Sequence, residues 1–364
     1  MGWGHGAGEP RHLDARVRCR CVVAGCSPTV LASSASPSRT DAEPPRPPPR
    51  TRARPFRTHR HRAGGFTWTG WDYKGEPTPF AWPNVNSHFG IIDEAGFPKD
   101  RYFWYQTAFK SFAPGAGMVH VFPHWNWASS SDFAALRAQN APTEHRITCT
   151  GMCSEAAAAA PTVKVWAFTN GASAELFVNG ASQGISAIPK YGHAEWASVP
   201  FAPGNITAVA YDAANKTLAT QTRVTTGAAT ALRASIKDGV GARSGGLLAT
   251  CNDVALVMVE VVDAAGLVVP NAGNNITFAL AATPALSYLG GGNGDPSCHV
   301  ADKAATRPAW AGLALGVFSS GDVAGQATVT VSSPGLASAT VTIEVRYPTT
   351  NDPPTWWCSR EARL

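Results

Sequence analysis

What this sequence has little of narrows the reading first. No stretch reaches the roughly 20 consecutive apolar residues that a membrane-spanning helix requires, so no helical span is expected. Charge is sparse: Asp, Glu, Lys and Arg make up 15% of the 364 residues, against 44% that are hydrophobic. That balance excludes a coiled coil or a wholly disordered chain and suits globular β-rich modules. The eight cysteines are too few and too scattered for a disulfide scaffold. Cys149 and Cys153 stand at C-x3-C spacing, but without a second such pair the spacing gives no zinc site, and no metal is expected. The Gly-rich "GGGNGD" at 290–295 lacks the strand-to-helix context of a phosphate loop and reads as a turn, so no cofactor is expected either.

The net charge of +5 is unevenly spread. Arginines crowd into residues 11–62, including "RPPPRTRARPFRTHRHR", and the remainder is close to neutral. A basic tail on a neutral body is not a folded nucleic-acid-binding surface. Residues 1–63 are dominated by Pro, Arg and Ser and are expected to be a disordered tail. Their segment "RVRCRCVVAGCSPTVLASSASPS" shares its basic start and small-residue end with secretory signals and transit peptides, although Cys and Pro interrupt its apolar run. Three sequons, at Asn205, Asn215 and Asn275, permit glycosylation if the chain is secreted. A secreted or cell-surface location is therefore favoured over others.

From Gly64 the texture changes. "GGFTWTGWDY" reads as a short strand entering a Gly/Pro-rich loop. "PKDRYFWYQTAF" has the polar start and apolar continuation of a helix of about three turns. Pro98 suits its first turn, and Asp100 the positive end of its dipole. A strand "MVHVFP" follows, then an irregular stretch from 128 to 160 that reads as an inserted loop. Beyond it, short β-branched or aromatic runs recur about every ten residues between Asn-Gly, Pro-Gly and Asp-Ala turns, the rhythm of an antiparallel sandwich. "TTGAATALRAS" marks a boundary. A second set follows, from "VALVMVEVVD" to "GQATVTVSSPGLASATVTIEV", whose alternation puts one face of each strand inward. Each block is about 100 residues, the size of one immunoglobulin-like sandwich.

The 64–106 segment "GGFTWTGWDYKGEPTPFAWPNVNSHFGIIDEAGFPKDRYFWYQ" resembles the end of the catalytic barrel in glycoside hydrolase family 2 enzymes, the β-galactosidase group. "VHVFPHWNW" with "VKVWAFTNGASAELFVNGASQG" resembles the sandwich that follows that barrel. "VEVVDAAGLVVPNAGNNITFAL", "GGGNGDPSCH" and "TVTVSSPGLASATVTIEV" resemble the next, invasin-like sandwich. The implied fold is mainly β: two immunoglobulin-like antiparallel sandwiches, preceded by the last strand, loop and helix of a (β/α)8 barrel. The implied divisions are 1–63 tail, 64–113 barrel remnant, 114–227 first sandwich with the insertion 128–160, 228–346 second sandwich and 347–364 loose tail.

The resemblance also implies a retaining mechanism, in which two glutamates about 5 Å apart act as nucleophile and acid/base. In the family both come from barrel strands upstream of the segment matched here. The matching upstream region holds one glutamate, Glu43, among prolines, so no catalytic residue is assigned and the chain alone is expected to be inactive. Trp68 matches the tryptophan that forms a stacking floor for the sugar, since an indole is a large, stiff surface for an apolar C–H face. Trp68 and Asp72 are the substrate-binding candidates, for a galactoside or related carbohydrate. Asp72 and Glu76 also tempt as replacement catalysts, but pairing with Lys74 or Arg101 and turn capping account for them. Some relatives hold sodium through an asparagine where this chain has Phe89, a side chain with no ligating atom.

His120 and His124 flank Pro123 and need not share a face, so they do not suggest a metal site. Trp125 and Trp127 are expected at the seam between barrel and sandwich, and Asp93 on loop amides or the helix start. Two other classes compete: a carbohydrate- or protein-binding sandwich module, and a fragment docking on a separately made barrel. The first would carry surface Trp and Asn on one sandwich. The second would expose Phe66, Trp68, Ile91, Ile92, Tyr102 and Tyr105.

Overall fold

The computed structural model describes residues 66–110, 116–127, 153–154, 162–189, 192–237 and 246–352. The expected tail 1–63, Glu43, Cys149, nearly all of the insertion 128–160 and the end of the 347–364 tail lie outside them. The described residues from Thr69 onward form one compact unit. Of the preceding unit, only Phe66, Thr67 and Trp68 are described, and Phe66 and Trp68 are exposed.

The fold is mainly β. After the helix α1 (Asp100–Lys110), the first sandwich comprises β1 (Val119–Phe122), β2 (Cys153–Ser154), β3 (Thr162–Thr169), β4 (Ser173–Val178), β5 (Ala181–Ala187), β6 (Ala194–Pro200), β7 (Asn205–Tyr211) and β8 (Thr217–Val224). One sheet has β3 at its centre, with β6 along one edge and β1 and β2 along the other. The facing sheet runs β5-β4-β7-β8, every pair antiparallel. Alternation decides which side chains meet between them. Val163, Val165 and Ala167 of β3 oppose Leu176 of β4 and Ile206 and Ala208 of β7, all fully buried. Asn179 and Gly180 turn β4 into β5 with φ of 48° and 83°, the two left-handed positions of a two-residue hairpin turn.

The second sandwich comprises β9 (Ala229–Ile236), β10 (Leu247–Leu248), β11 (Val254–Asp263), β12 (Asn275–Leu280), β13 (Leu286–Gly292), β14 (Thr306–Pro308), β15 (Leu313–Ser320), β16 (Gly325–Ser332) and β17 (Ala339–Arg346). Its sheets run β13-β15-β11-β9 and β10-β17-β16-β12-β14. Only β10 and β17 pair in parallel among the described strands. Val257, Val259 and Val261 of β11 face Ile276 and Phe278 of β12 and Val329 and Val331 of β16 across a single core. The stretch read as a boundary from its small polar residues contributes a full strand, β9, because Leu232 enters that core and its backbone pairs with β11.

Asparagines join the two sandwiches. The side chains of Asn126 and Asn271 bond to one another at 3.2 Å, and the Thr226 amide donates to Asn126 Oδ1 at 2.7 Å. α1 is fixed by a histidine: His120 of β1 bonds Asp100 at 2.8 Å and stacks on Phe103 with ring centroids 3.7 Å apart. His120 therefore occupies the seam expected of Trp125 and Trp127. Both tryptophans are 1% exposed and belong to the core of the first sandwich, where Trp125 packs on Phe201 and donates to the Ala202 carbonyl. α1 begins at Asp100 rather than Pro98, since the backbone at Pro98 bridges to Ile92. No described helix is long and apolar enough to cross a membrane.

Leu176 and Ile276 are fully buried in separate cores. Truncating either to alanine is expected to cost about 2–5 kcal/mol. In the double variant the two losses add to within about 0.5 kcal/mol, since the sites share no partners. Urea unfolding of the single and double variants measures both quantities.

Candidate functional site

Residues 69–99 make a long loop with almost no regular structure, yet Asp72, Asn86, Ser87, His88, Asp93 and Lys99 within it are buried. Its two ends are sewn together by backbone bonds. The amides of Asp72 and Gly75 donate to Ile92 and Val85, those of Ile92 and Ser87 to Gly70 and Tyr73, all between 2.8 and 3.0 Å. At the centre lies an ion pair. Lys99 Nζ meets Asp72 Oδ2, and the two side chains are 1% and 3% exposed. The remaining valences are used: Asp72 Oδ1 accepts the Gly90 amide at 2.8 Å, and Lys99 donates to the His88 carbonyl at 3.1 Å.

A buried charge survives only when paired and hydrogen-bonded on its other atoms, which is the arrangement here. Burial pushes the Asp72 carboxyl above its ordinary value, against the opposing pull of Lys99 and the Gly90 amide. Gly90 is required by this contact. A Cβ there would lie 2.2 Å from the Asp72 amide nitrogen and 2.7 Å from the Ile92 carbonyl. Asp72 thus pairs with Lys99 rather than the expected Lys74 or Arg101. Its carboxylate is committed within the chain.

The other acids of the loop are also engaged. Glu76 accepts the Tyr73 hydroxyl. Asp93 accepts the Phe97 amide at 2.8 Å, as a loop-amide cap. Glu94 accepts from Asn86 and lies 3.7 Å from Lys74, which also pairs with Asp302. Lys74, Glu94, Asp302 and Arg307 line a small polar cleft beside Gly291, Gly292, Asn293 and Cys298, with room for about two waters. A pyranose ring does not fit there.

The second sandwich grips the loop. The amides of Val85 and Asn86 both donate to Pro296 O, at 2.9 and 3.1 Å. His299 Nε2 bonds Pro83 O at 2.8 Å, and its ring lies 4.3 Å from that of Trp82. Ala95 and Phe97 pack with Leu315, and Lys237 sits over the Phe97 ring at 4.8 Å. Trp68, Trp71 and Trp82 remain 58%, 54% and 77% exposed.

Of the residues singled out in the sequence, Trp68 is open to solvent and Asp72 is buried. Asp295 accepts from the amide and hydroxyl of Ser297 as a local turn. Asn205, Asn215 and Asn275 are all exposed. No cluster of metal-ligating side chains occurs among the described residues. Sequence reasoning missed Lys99, His299 and Trp82. Lys99 read as the first turn of a helix, and nothing in the spacing links Trp82 to a histidine more than 200 positions away.

Two outcomes follow. Lys99→Met leaves the Asp72 carboxylate buried without its partner, and is expected to cost about 3–5 kcal/mol in urea unfolding. Adding Asp72→Asn restores most of that, since the amide is neutral and still accepts from Gly90. Acid is the second lever. Burial lowers His88 from 6.5 to about 4 and His124 to about 3. A histidine depressed on folding contributes stability that is complete above 6.5 and is lost as pH falls toward those values. The melting midpoint should drop between pH 6.5 and 4, and less steeply in His124→Gln.

Comparison with known proteins gives this geometry a lineage. Residues 240–342 match "Glycoside hydrolase family 2 C-terminal domain 5", and residues 161–219 match a domain of unknown function (DUF4982). The chain is 31% identical over 283 residues to the β-galactosidase BoGH2A of Bacteroides ovatus, covering 77% of this chain and 28% of that protein. It is 27% identical over 240 residues to a β-glucuronidase of Formosa agariphila, covering 65% of this chain and 20% of that one. The crystal structure of a β-glycosidase from Bacteroides vulgatus superposes with a TM-score of 0.61 at 26% identity, over 78% of this chain and 31% of that one. The chain thus spans less than a third of the length of each of these relatives. Residues 240–342 thus carry a glycoside hydrolase family 2 C-terminal domain, and the chain as a whole is similar to the C-terminal part of that family's members.

Proposed function

We propose that this chain is the C-terminal part of a retaining, β-galactosidase-like glycoside hydrolase, and that it has no hydrolase activity by itself. Residues 64–113 would be the last strand, loop and helix of the catalytic barrel, with Trp68 as the stacking floor for the sugar. The sandwiches would buttress that wall. The two glutamates would belong to barrel strands that precede it.

One observation carries the reading: every carboxylate of residues 69–99 is spent on holding the loop. Asp72, Glu76, Asp93 and Glu94 each accept a bond from within the chain. A retaining glycosidase needs two carboxyl groups about 5 Å apart and open to the sugar. Glu94 and Asp302, which share a cleft, are bridged by Lys74 in a space of water size. The exposed tryptophans argue for a site wall rather than a sandwich-face binding module. Trp71 and Trp82 both lie in the loop before α1, whereas Trp125, Trp127 and Trp196 of the first sandwich are buried. Of the six residues that a fragment docking on a separate barrel would expose, Phe66 and Trp68 are exposed, Ile91, Ile92 and Tyr102 are half-buried and Tyr105 is 7% exposed, so that reading is only partly supported.

The test is an assay of the purified 364-residue chain with nitrophenyl β-galactoside. No turnover above buffer is expected. Hydrolysis by the chain that persists in Trp68→Ala would contradict the reading.

A further inference from the structure

Trp82 is the most exposed tryptophan described, at 77%, yet it is not loosely held. It sits in a turn closed by the Asn84 amide and side chain, both donating to the Ala81 carbonyl at 3.1 and 2.9 Å. One neighbour of the ring comes from the other end of the chain. The His299 imidazole lies 4.3 Å from the indole, tilted by 44°, and is itself fixed by its 2.8 Å bond to Pro83 O.

His299 is fixed in turn. Its loop, between β13 and β14, is clamped by Arg307, which donates to the carbonyls of Val300 and Ala301 at 2.8 and 2.9 Å. The same loop accepts the Val85 and Asn86 amides through Pro296, and pairs with Lys74 through Asp302. The barrel-side loop and the second sandwich therefore build one rigid bracket, with an indole face left to solvent at its tip.

A large aromatic surface kept in water while its backbone and its neighbour are immobilised is unfavourable for the free protein and favourable for a binder. The ordering that a ligand would otherwise impose is already in place. The surroundings select the ligand. The ring beside the indole is a polar imidazole, and the turn and loop that carry the two rings are closed by hydrogen bonds rather than by an apolar patch of the kind a protein partner covers. A pyranose offers the complement: an apolar C–H face for the indole and hydroxyl groups for the imidazole and backbone groups beside it.

We propose that Trp82, backed by His299, is a second saccharide subsite, in addition to the stacking floor assigned to Trp68. This rests on the reading that the chain handles carbohydrate, but not on Trp68 itself. The second sandwich would then contribute directly to recognition of longer saccharides, through His299 and the loop that carries it.

The experiment titrates the full chain with β-1,4-galactotriose and with methyl β-galactoside. Affinity is read by calorimetry and the tryptophan indole N–H resonances by NMR. Trp82→Ala, His299→Ala and Trp68→Ala are compared, each checked for an unchanged melting midpoint. The triose is expected to shift the Trp82 resonance. Trp82→Ala should weaken triose binding by about tenfold or more, and His299→Ala by a smaller factor, while methyl β-galactoside binding stays unchanged in both. Wild-type triose affinity in Trp82→Ala overturns the subsite, and if Trp68→Ala then loses binding, the stacking floor stands alone. Loss in Trp82→Ala with none in Trp68→Ala supports the subsite and removes the floor. No saccharide binding by the unaltered chain overturns both.

Discussion

The buried pair between Asp72 and Lys99 is the interaction on which the site loop depends. Residues 69–99, with little regular structure, must satisfy their backbone groups without a sheet or helix to do it. Asp72 and Lys99 supply the missing centre, one accepting the Gly90 amide and the other donating to the His88 carbonyl. The pair brings the start and end of the loop into contact and leaves α1 to begin one residue later, at Asp100. Taking two charges out of water is costly, so the pair is a device of geometry more than of net stability. It fixes where the exposed tryptophans of the loop stand.

The second sandwich completes that fixation. Ala95 and Phe97 share a cluster with Leu315, and Leu256 and Met258 of β11 pack against it. Close approach is designed into the contact: a Cβ on Gly294 would lie 2.3 Å from Asp93 Oδ2. Loop and sandwich therefore belong to one packed body. The first sandwich joins it through Asn126 and Asn271, and through His120 against Asp100 and Phe103. The seams between these parts are small, made of a few directional bonds and one apolar cluster around Phe97, whereas the two apolar cores are large. Rigidity of the loop thus follows from a few named bonds and that one cluster.

Much of the β architecture was legible because its signal is local. Alternating Val, Ile and Thr in "VALVMVEVVD" and "GQATVTVSS" prescribes which face turns inward, and Asn179-Gly180 prescribes a hairpin turn. The family resemblance was legible too, carried by a long composite segment. What sequence could not supply was long-range pairing between polar groups. Lys99 looks like part of a helix until its partner 27 positions earlier is known. His299 reads as an unremarkable loop residue, and Trp125 and Trp127 could have packed on either side of β1. β9 was hidden by small residues whose place in a sheet is decided by the neighbouring β11 rather than by their own pattern.

The central claim is that residues 69–99 are held as firmly as the sandwich that supports them, and native-state hydrogen exchange tests it most directly. The amides of Asp72, Asn86, Gly90 and Ile92 should be protected to within about tenfold of those of β11, opening only in the transition that unfolds the second sandwich. If those four amides instead exchange orders of magnitude faster than β11, the loop opens independently. The buried pair would then not be the anchor described.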